Sequence, residues 1–211
     1  MNQKPYLYRF ALLRHAQTHW NVAKRIQGQK DSSLTENGTE QARIFAEKVQ
    51  FLGFNAILCS DLGRTLQTAK IINTYLNLPL VKDKQLREQN WGRWSGKTLA
   101  SVWKEEKNIL THQVEAGWHF CPPEGEDRQT VFVRGCQALK SWSLASEYNR
   151  TLVITHEGVI KCLIYGLSGR KFLPHEPSLI KSNHLHWVTC DGSNLFIEKI
   201  NAQNMGTVIT P

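Results

Sequence analysis

With 211 residues, 41% of them hydrophobic, the chain holds enough apolar material for one good core and is expected to form a single domain. A formal charge of +8 and a pI near 9.3 favour anionic partners, but Lys and Arg are scattered along the chain, which argues against a nucleic-acid tail. Cys59, Cys121, Cys136, Cys162 and Cys190 form no C-x-x-C pair, no segment is long enough to span a bilayer, and the start MNQKPYLYRFALLRH lacks the longer uncharged apolar core of a signal peptide; the expected setting is therefore soluble, reducing and cytoplasmic.

In chain order, the first apolar run, Tyr8 to Leu13, reads as a buried strand that stops at Arg14 and His15. SLTENGTEQARIFAEKVQFLG then reads as a helix with Thr35 as N-cap, Ala42, Phe45, Val49 and Leu52 on one face, and Gly53 past its end. NAILCS predicts a second strand, and LGRTLQTAKIINTYL a helix capped by Ser60 or Asp61, with Arg64 in its first turn. A third strand is expected over Leu80 to Lys82.

From about 87 to 128 the pattern weakens into tryptophans, glycines and the turn-rich CPPEGED, which reads as an irregular, lid-like insertion with one short helix near Leu99 to Leu110. Helical spacing resumes from Thr130 to about Glu147. A fourth strand over Leu152 to Thr155 leads into a helix carrying Val159, Ile160, Leu163 and Leu167. Two last strands, Leu185 to Thr189 and Leu195 to Ile200, are joined by CDGSN. Strands alternating with helices predict an α/β, three-layer sandwich: a mostly parallel mixed sheet flanked by helices on both faces.

Three of these strands run into chemically loaded residues: the first ends in Arg14 and His15, the second leads to Arg64, and the fourth ends in His156. If the strands run parallel, their C-terminal ends share the edge where open α/β sheets bind ligands. Glu88, after the third strand, completes a set of two arginines, two histidines and a carboxylate. This set suits phosphoryl transfer. Guanidinium forks match phosphate oxygens, an imidazole nitrogen can carry a phosphoryl group, and a carboxylic acid can protonate a departing alcohol. Neither a metal nor a cofactor is required.

The ordered run RHAQTHWN, IQGQKDSSLTENGTEQA, SDLGRTLQTA, LREQNWGRWSG, PPEGED and THEGVIK, from Leu12 to about Lys161, resembles the histidine phosphatase (phosphoglycerate mutase-like) superfamily. The resemblance implies one such domain over 1–211, with His15 as the phosphorylated nucleophile. It implies Arg14, Arg64 and His156 as the phosphate clamp, Glu88 as the proton donor, and Asn21, Gln27 and Gly28 along the phosphate pocket. The chain departs from the family pattern in having Ala16 after the nucleophile position and THEG where the family usually reads S-H-G-G. Glu157 thereby brings an extra carboxylate to the clamp. EQNWG, in place of the E-R-x-Y-G of the mutases, favours a phosphatase over a phosphoglycerate mutase. The expected partner is a small phosphorylated substrate, with no nucleic acid and no membrane, for a monomer or homodimer.

Three rivals are weaker. A cysteine phosphatase loop needs five residues between Cys and Arg, and CSDLGR has four between Cys59 and Arg64. A nucleic-acid or anion-binding module would suit the charge and the seven tryptophans, but no recognition motif is present. The pair His184 and His186 has metal-ligand spacing without a third ligand and reads as strand decoration.

Overall fold

The apolar runs pair into one six-stranded sheet in the computed structural model, which describes residues 7–206. Residues 1–6, on which the leader reading partly rests, and 207–211 lie outside it. Strands β1 (Tyr8–Arg14), β2 (Ala56–Cys59), β3 (Leu80–Lys82) and β4 (Arg150–Thr155) are parallel. β5 (His184–Cys190) is antiparallel to β1, and β6 (Leu195–Asn204) is antiparallel to β5. The sheet order is β3-β2-β4-β1-β5-β6.

The helices are α1 (His19–Val22), α2 (Glu36–Val49), α3 (Gly63–Leu76), α4 (Leu99–Glu115), α5 (Arg128–Ala145) and α6 (Glu157–Leu167). Successive strand residues point to opposite faces, so an apolar run in a central strand feeds two cores at once. Phe10 and Leu12 of β1 join Val131 and Leu139 of α5 and Ile160 and Leu163 of α6. Ala11 and Leu13, on the other face, join Phe45 and Val49 of α2 and Ala69 and Ile72 of α3. These are the three layers expected. Among the described residues no helix is long and apolar enough to cross a membrane.

The order of the central strands is what positions the site. β4 lies between β1 and β2, and the register pairs Arg14 with Thr155 and Cys59 with Ile154. The His15 amide donates to the Thr155 carbonyl at 3.0 Å, and the Ser60 amide to the Ile154 carbonyl at 3.0 Å. His15, Ser60 and His156 therefore leave the same sheet edge side by side.

Three expectations need correction. α3 takes no side-chain cap from Ser60 or Asp61, because its N-cap position is Leu62; the Asp31 carboxylate from a distant loop accepts from the Gly63 amide at 2.7 Å instead. The 87–128 segment is far more ordered than its composition suggests, since α4 runs for 17 residues, past Leu110 to Glu115, with a kink at Glu106. It also has its own small core of Trp94, Val102, Leu110 and Phe120. Finally, α5 begins at Arg128, capped by Asp127, whose side chain accepts from the Thr130 amide at 2.7 Å.

Candidate active site

At the C-terminal edge of β1, β4 and β2 a cavity of about 620 Å³ opens, and Arg14, His15, Asn21, Gln27, Gly28, Arg64 and Glu88 all line it. His156 lies immediately beneath, fully buried, with its ring edge-on to that of His15 and the centroids 5.3 Å apart. Every site residue expected from the sequence is thus in one place.

His15 is 5% exposed and has one tautomer built in. Its Nδ1 lies 2.7 Å from the Ala16 carbonyl, which can only accept, so Nδ1 carries the hydrogen and Nε2 keeps its lone pair. Burial first, then the charges of Arg14 and Arg64, hold this imidazole well below the usual histidine range. At neutral pH it is an uncharged imidazole.

Arg64 is almost fully buried and tied down on several sides. Its Nε donates to His15 Nε2 at 3.2 Å, one terminal nitrogen to the Gly28 carbonyl at 2.7 Å, and the other to the Lys30 carbonyl at 2.9 Å and Asp31 at 3.1 Å. The loop after α1 is therefore folded around this guanidinium. His156 is held through Nε2, 3.0 Å from Ser60 Oγ, while its Nδ1 is buried without a partner among the described residues. Burial, followed by the charges of Arg64, His15, Arg14 and Arg134, also keeps His156 well below the usual range.

Glu88 accepts from the Gln89 amide at 2.8 Å and from the Gly158 amide at 3.2 Å. Desolvation nevertheless outweighs these bonds and raises its carboxyl above the ordinary range. Gly158 has a steric role here. A Cβ at that position would sit 2.3 Å from Glu88 Oε1, so only glycine leaves the carboxyl where it is. Glu126, whose carboxylate accepts from the Asn90 amide beside this segment, is taken by Arg134 at 2.7 Å; the same guanidinium donates to the Glu88 carbonyl at 3.2 Å, which makes this pair a brace for the Glu88 loop.

Asn21 accepts through Oδ1 from the Thr18 amide at 3.0 Å, in a capping box that fixes it at the start of α1. Sequence reasoning missed Ser60, Asp31, Gly158 and Arg134, all of which act through partners remote in the chain. The three tryptophans of the insertion separate. Trp91 lines the cavity, Trp94 is fully buried in the small core, and Trp103 is half exposed under Lys107. Cys59 is fully buried and its thiol is pushed up to about 12, mainly by desolvation, so it is no rival nucleophile. His186 is buried and accepts from the Asn201 amide at 3.3 Å; among the described residues no group of three or more His, Cys, Asp or Glu is placed to hold a metal.

A parallel-edge site of this make-up, with an uncharged imidazole between guanidinium groups and a carboxylic acid, defines a class of proteins that handle phosphate. Residues 10–203 match the model of the histidine phosphatase superfamily (branch 1), and the chain belongs to that superfamily, whose enzymes are phosphatases or mutases. It is 35% identical over 158 residues to a probable phosphoglycerate mutase GpmB of Serratia proteamaculans, covering 75% of this chain and 74% of that one. With the protein of the same name from Yersinia pestis it shares 39% identity over the same shares. Among solved structures it is similar to Bacillus stearothermophilus YhfR, with a TM-score of 0.83 and 28% identity over 94% of this chain and 99% of that one. It is also similar to a mycobacterial glucosyl-3-phosphoglycerate phosphatase, with a TM-score of 0.79 and 27% identity over 93% and 100% of the two chains.

Proposed function

We propose that this protein is a metal-independent phosphomonoester hydrolase acting on a small phosphorylated metabolite through a phosphohistidine at His15. The observation that carries the reading is the His15 tautomer: Nδ1–H is committed to the Ala16 carbonyl, and Nε2 presents its lone pair in a cavity walled by arginines.

In the first step the Nε2 lone pair forms a bond to phosphorus while the bond from phosphorus to the ester oxygen breaks, and Glu88 gives its proton to the departing alcohol. Arg64 Nε, released from Nε2, turns to a phosphoryl oxygen; Arg14 and His156 Nδ1 hold the others, and Asn21, Gln27 and the Gly28 loop close the pocket. In the second step water attacks phosphorus and gives its proton to Glu88. The N–P bond then breaks, its electron pair returns to Nε2, and inorganic phosphate leaves. The charge that a metal would otherwise neutralise is met by fixed guanidinium and imidazole groups.

The names of the GpmB relatives favour a second reading, in which an acceptor alcohol replaces water and the protein is a phosphoglycerate mutase. EQNWG in place of E-R-x-Y-G supports the hydrolase. A panel of phosphomonoesters assayed in excess EDTA separates the two: release of inorganic phosphate without an acceptor is the expected result, and isomerisation of phosphoglycerate faster than phosphate release would establish the mutase. Activity lost to chelator and restored by a divalent cation would overturn the metal-independent mechanism.

A further inference from the structure

The proposed chemistry has no task for Glu157. It opens α6 directly after His156 and lies on the cavity wall beside Arg14. One Arg14 terminal nitrogen donates to Glu157 Oε2, and Lys161, one helical turn on, has its Nζ 3.9 Å from Oε1. All three line the cavity, and the side chains of Arg14 and Glu157 are 28% and 33% exposed, so their charges are only partly screened by water. Without the carboxylate, Arg14 and Lys161 would form a pair of cations next to the phosphate position, ready for a second anionic group on the substrate. With it, that pair carries one compensating negative charge on the cavity wall, one residue from Gly158, whose amide donates to Glu88, the assigned proton donor to the leaving group.

We propose that Glu157 is a specificity-determining residue that selects phosphomonoesters whose leaving group is uncharged near the phosphate, such as polyol or sugar phosphates, against those carrying a second anion there. The proposal rests on the hydrolase reading and deepens it. A hydroxyl can donate to the carboxylate, whereas a second carboxylate or phosphate meets like charge and loses the two cations Glu157 already occupies.

A matched substrate pair tests it. Glycerol 3-phosphate and 3-phosphoglycerate differ in a CH2OH against a carboxylate, so the ratio of their kcat/KM values reports the charge preference directly. Removing one charge about 6 Å away at an effective dielectric of about 40 corresponds to roughly tenfold. Glu157→Gln should therefore raise the ratio of 3-phosphoglycerate to glycerol 3-phosphate by about tenfold, with a smaller rise at high salt. Glu157→Asp should stay near the wild type, and Lys161→Gln, which leaves the carboxylate less compensated, should move the ratio the other way. If Glu157→Gln does not fold, Glu157→Ser, which removes the same charge, decides in its place. A ratio unchanged within twofold, or moved in the same direction by both neutralising variants, overturns the role of Glu157 while phosphate release leaves the hydrolase reading standing. No turnover of any phosphomonoester and no phosphohistidine would remove that reading, and this inference with it.

Discussion

Arg64 Nε donates to His15 Nε2 at 3.2 Å, so the clamp guanidinium rests on the very lone pair assigned to attack phosphorus. The contact orients the ring, and the proposed first step exchanges it for a phosphoryl oxygen as the N–P bond forms. His15→Ala should abolish both alkali-stable, acid-labile phosphohistidine and turnover, by on the order of several powers of ten. Arg64→Lys keeps a charge but loses the fork that also holds the Gly28 and Lys30 carbonyls, and should cost at least about a hundredfold in kcat/KM. Label trapped after alkaline quench and mapped by mass spectrometry is the readout; label on another residue would refute the His15 assignment.

The proposed mechanism needs Glu88 protonated to serve the leaving group, and burial raises its carboxyl above the ordinary range. Activity should fall as pH rises through that raised value, and at low pH it should fall as His15 takes a proton, below the usual histidine range. Glu88→Gln should lose the alkaline limb and lower alkyl phosphate hydrolysis by about 10² to 10⁴. Burst formation from p-nitrophenyl phosphate, whose leaving group needs no proton, should change much less. Equal slowing of phosphorylation for both esters would make Glu88 a positioning residue.

Gly158→Ala offers a separate route to the same defect. The new Cβ meets the flexible end of Glu88, at 2.3 Å from Oε1, rather than backbone, so the acid moves while the fold holds. We expect a loss of about tenfold or more for alkyl phosphates with little change in the unfolding midpoint. A large drop in stability with normal turnover of the folded fraction would contradict this.

The insertion should set substrate ranking through Trp91, which faces the cavity, and not through Trp103, which does not line it. Trp91→Leu should reorder a phosphomonoester panel, and Trp103→Ala should leave the order intact. Trp94→Ala, in the buried core of the insertion, should cost about 3 to 5 kcal/mol of stability. Denaturant melts and initial rates on the same preparations distinguish these outcomes.

Stability should also respond to His186, which desolvation holds at about 4 against an ordinary 6.5. Above pH 6.5 folded and unfolded states are both neutral there. Below it the unfolded state binds the proton first, so stability is lost as pH falls toward 4, by up to roughly 3 kcal/mol for 2.5 pH units. His186→Asn should flatten that part of the profile in denaturant titrations at pH 7 and pH 4.5. An unchanged slope would place the acid sensitivity elsewhere, with His15 and His156 next in line.

The sequence by itself determined the strands, the main helices and the candidate site residues that line one cavity or lie beneath it. Apolar runs and helical spacing report burial directly; Arg14, His15 and His156 fall at strand ends, Arg64 in the first turn of α3, and Glu88 in the segment that follows β3. α4 is longer than its pattern suggests because only Val102 and Leu110 of its residues are buried, while Leu99, Trp103, Ile109 and Val114 are exposed, so its periodicity is blurred. What only the tertiary structure decided was partnership. The placement of β4 between β1 and β2 brings His156 and Ser60 beside His15, Asp31 caps a helix that begins more than thirty residues later, and Glu157 closes on Arg14 across the sheet edge. Periodicity records whether a side chain is buried, but a hydrogen bond between residues far apart in the chain depends on strand order and register, which no local pattern encodes.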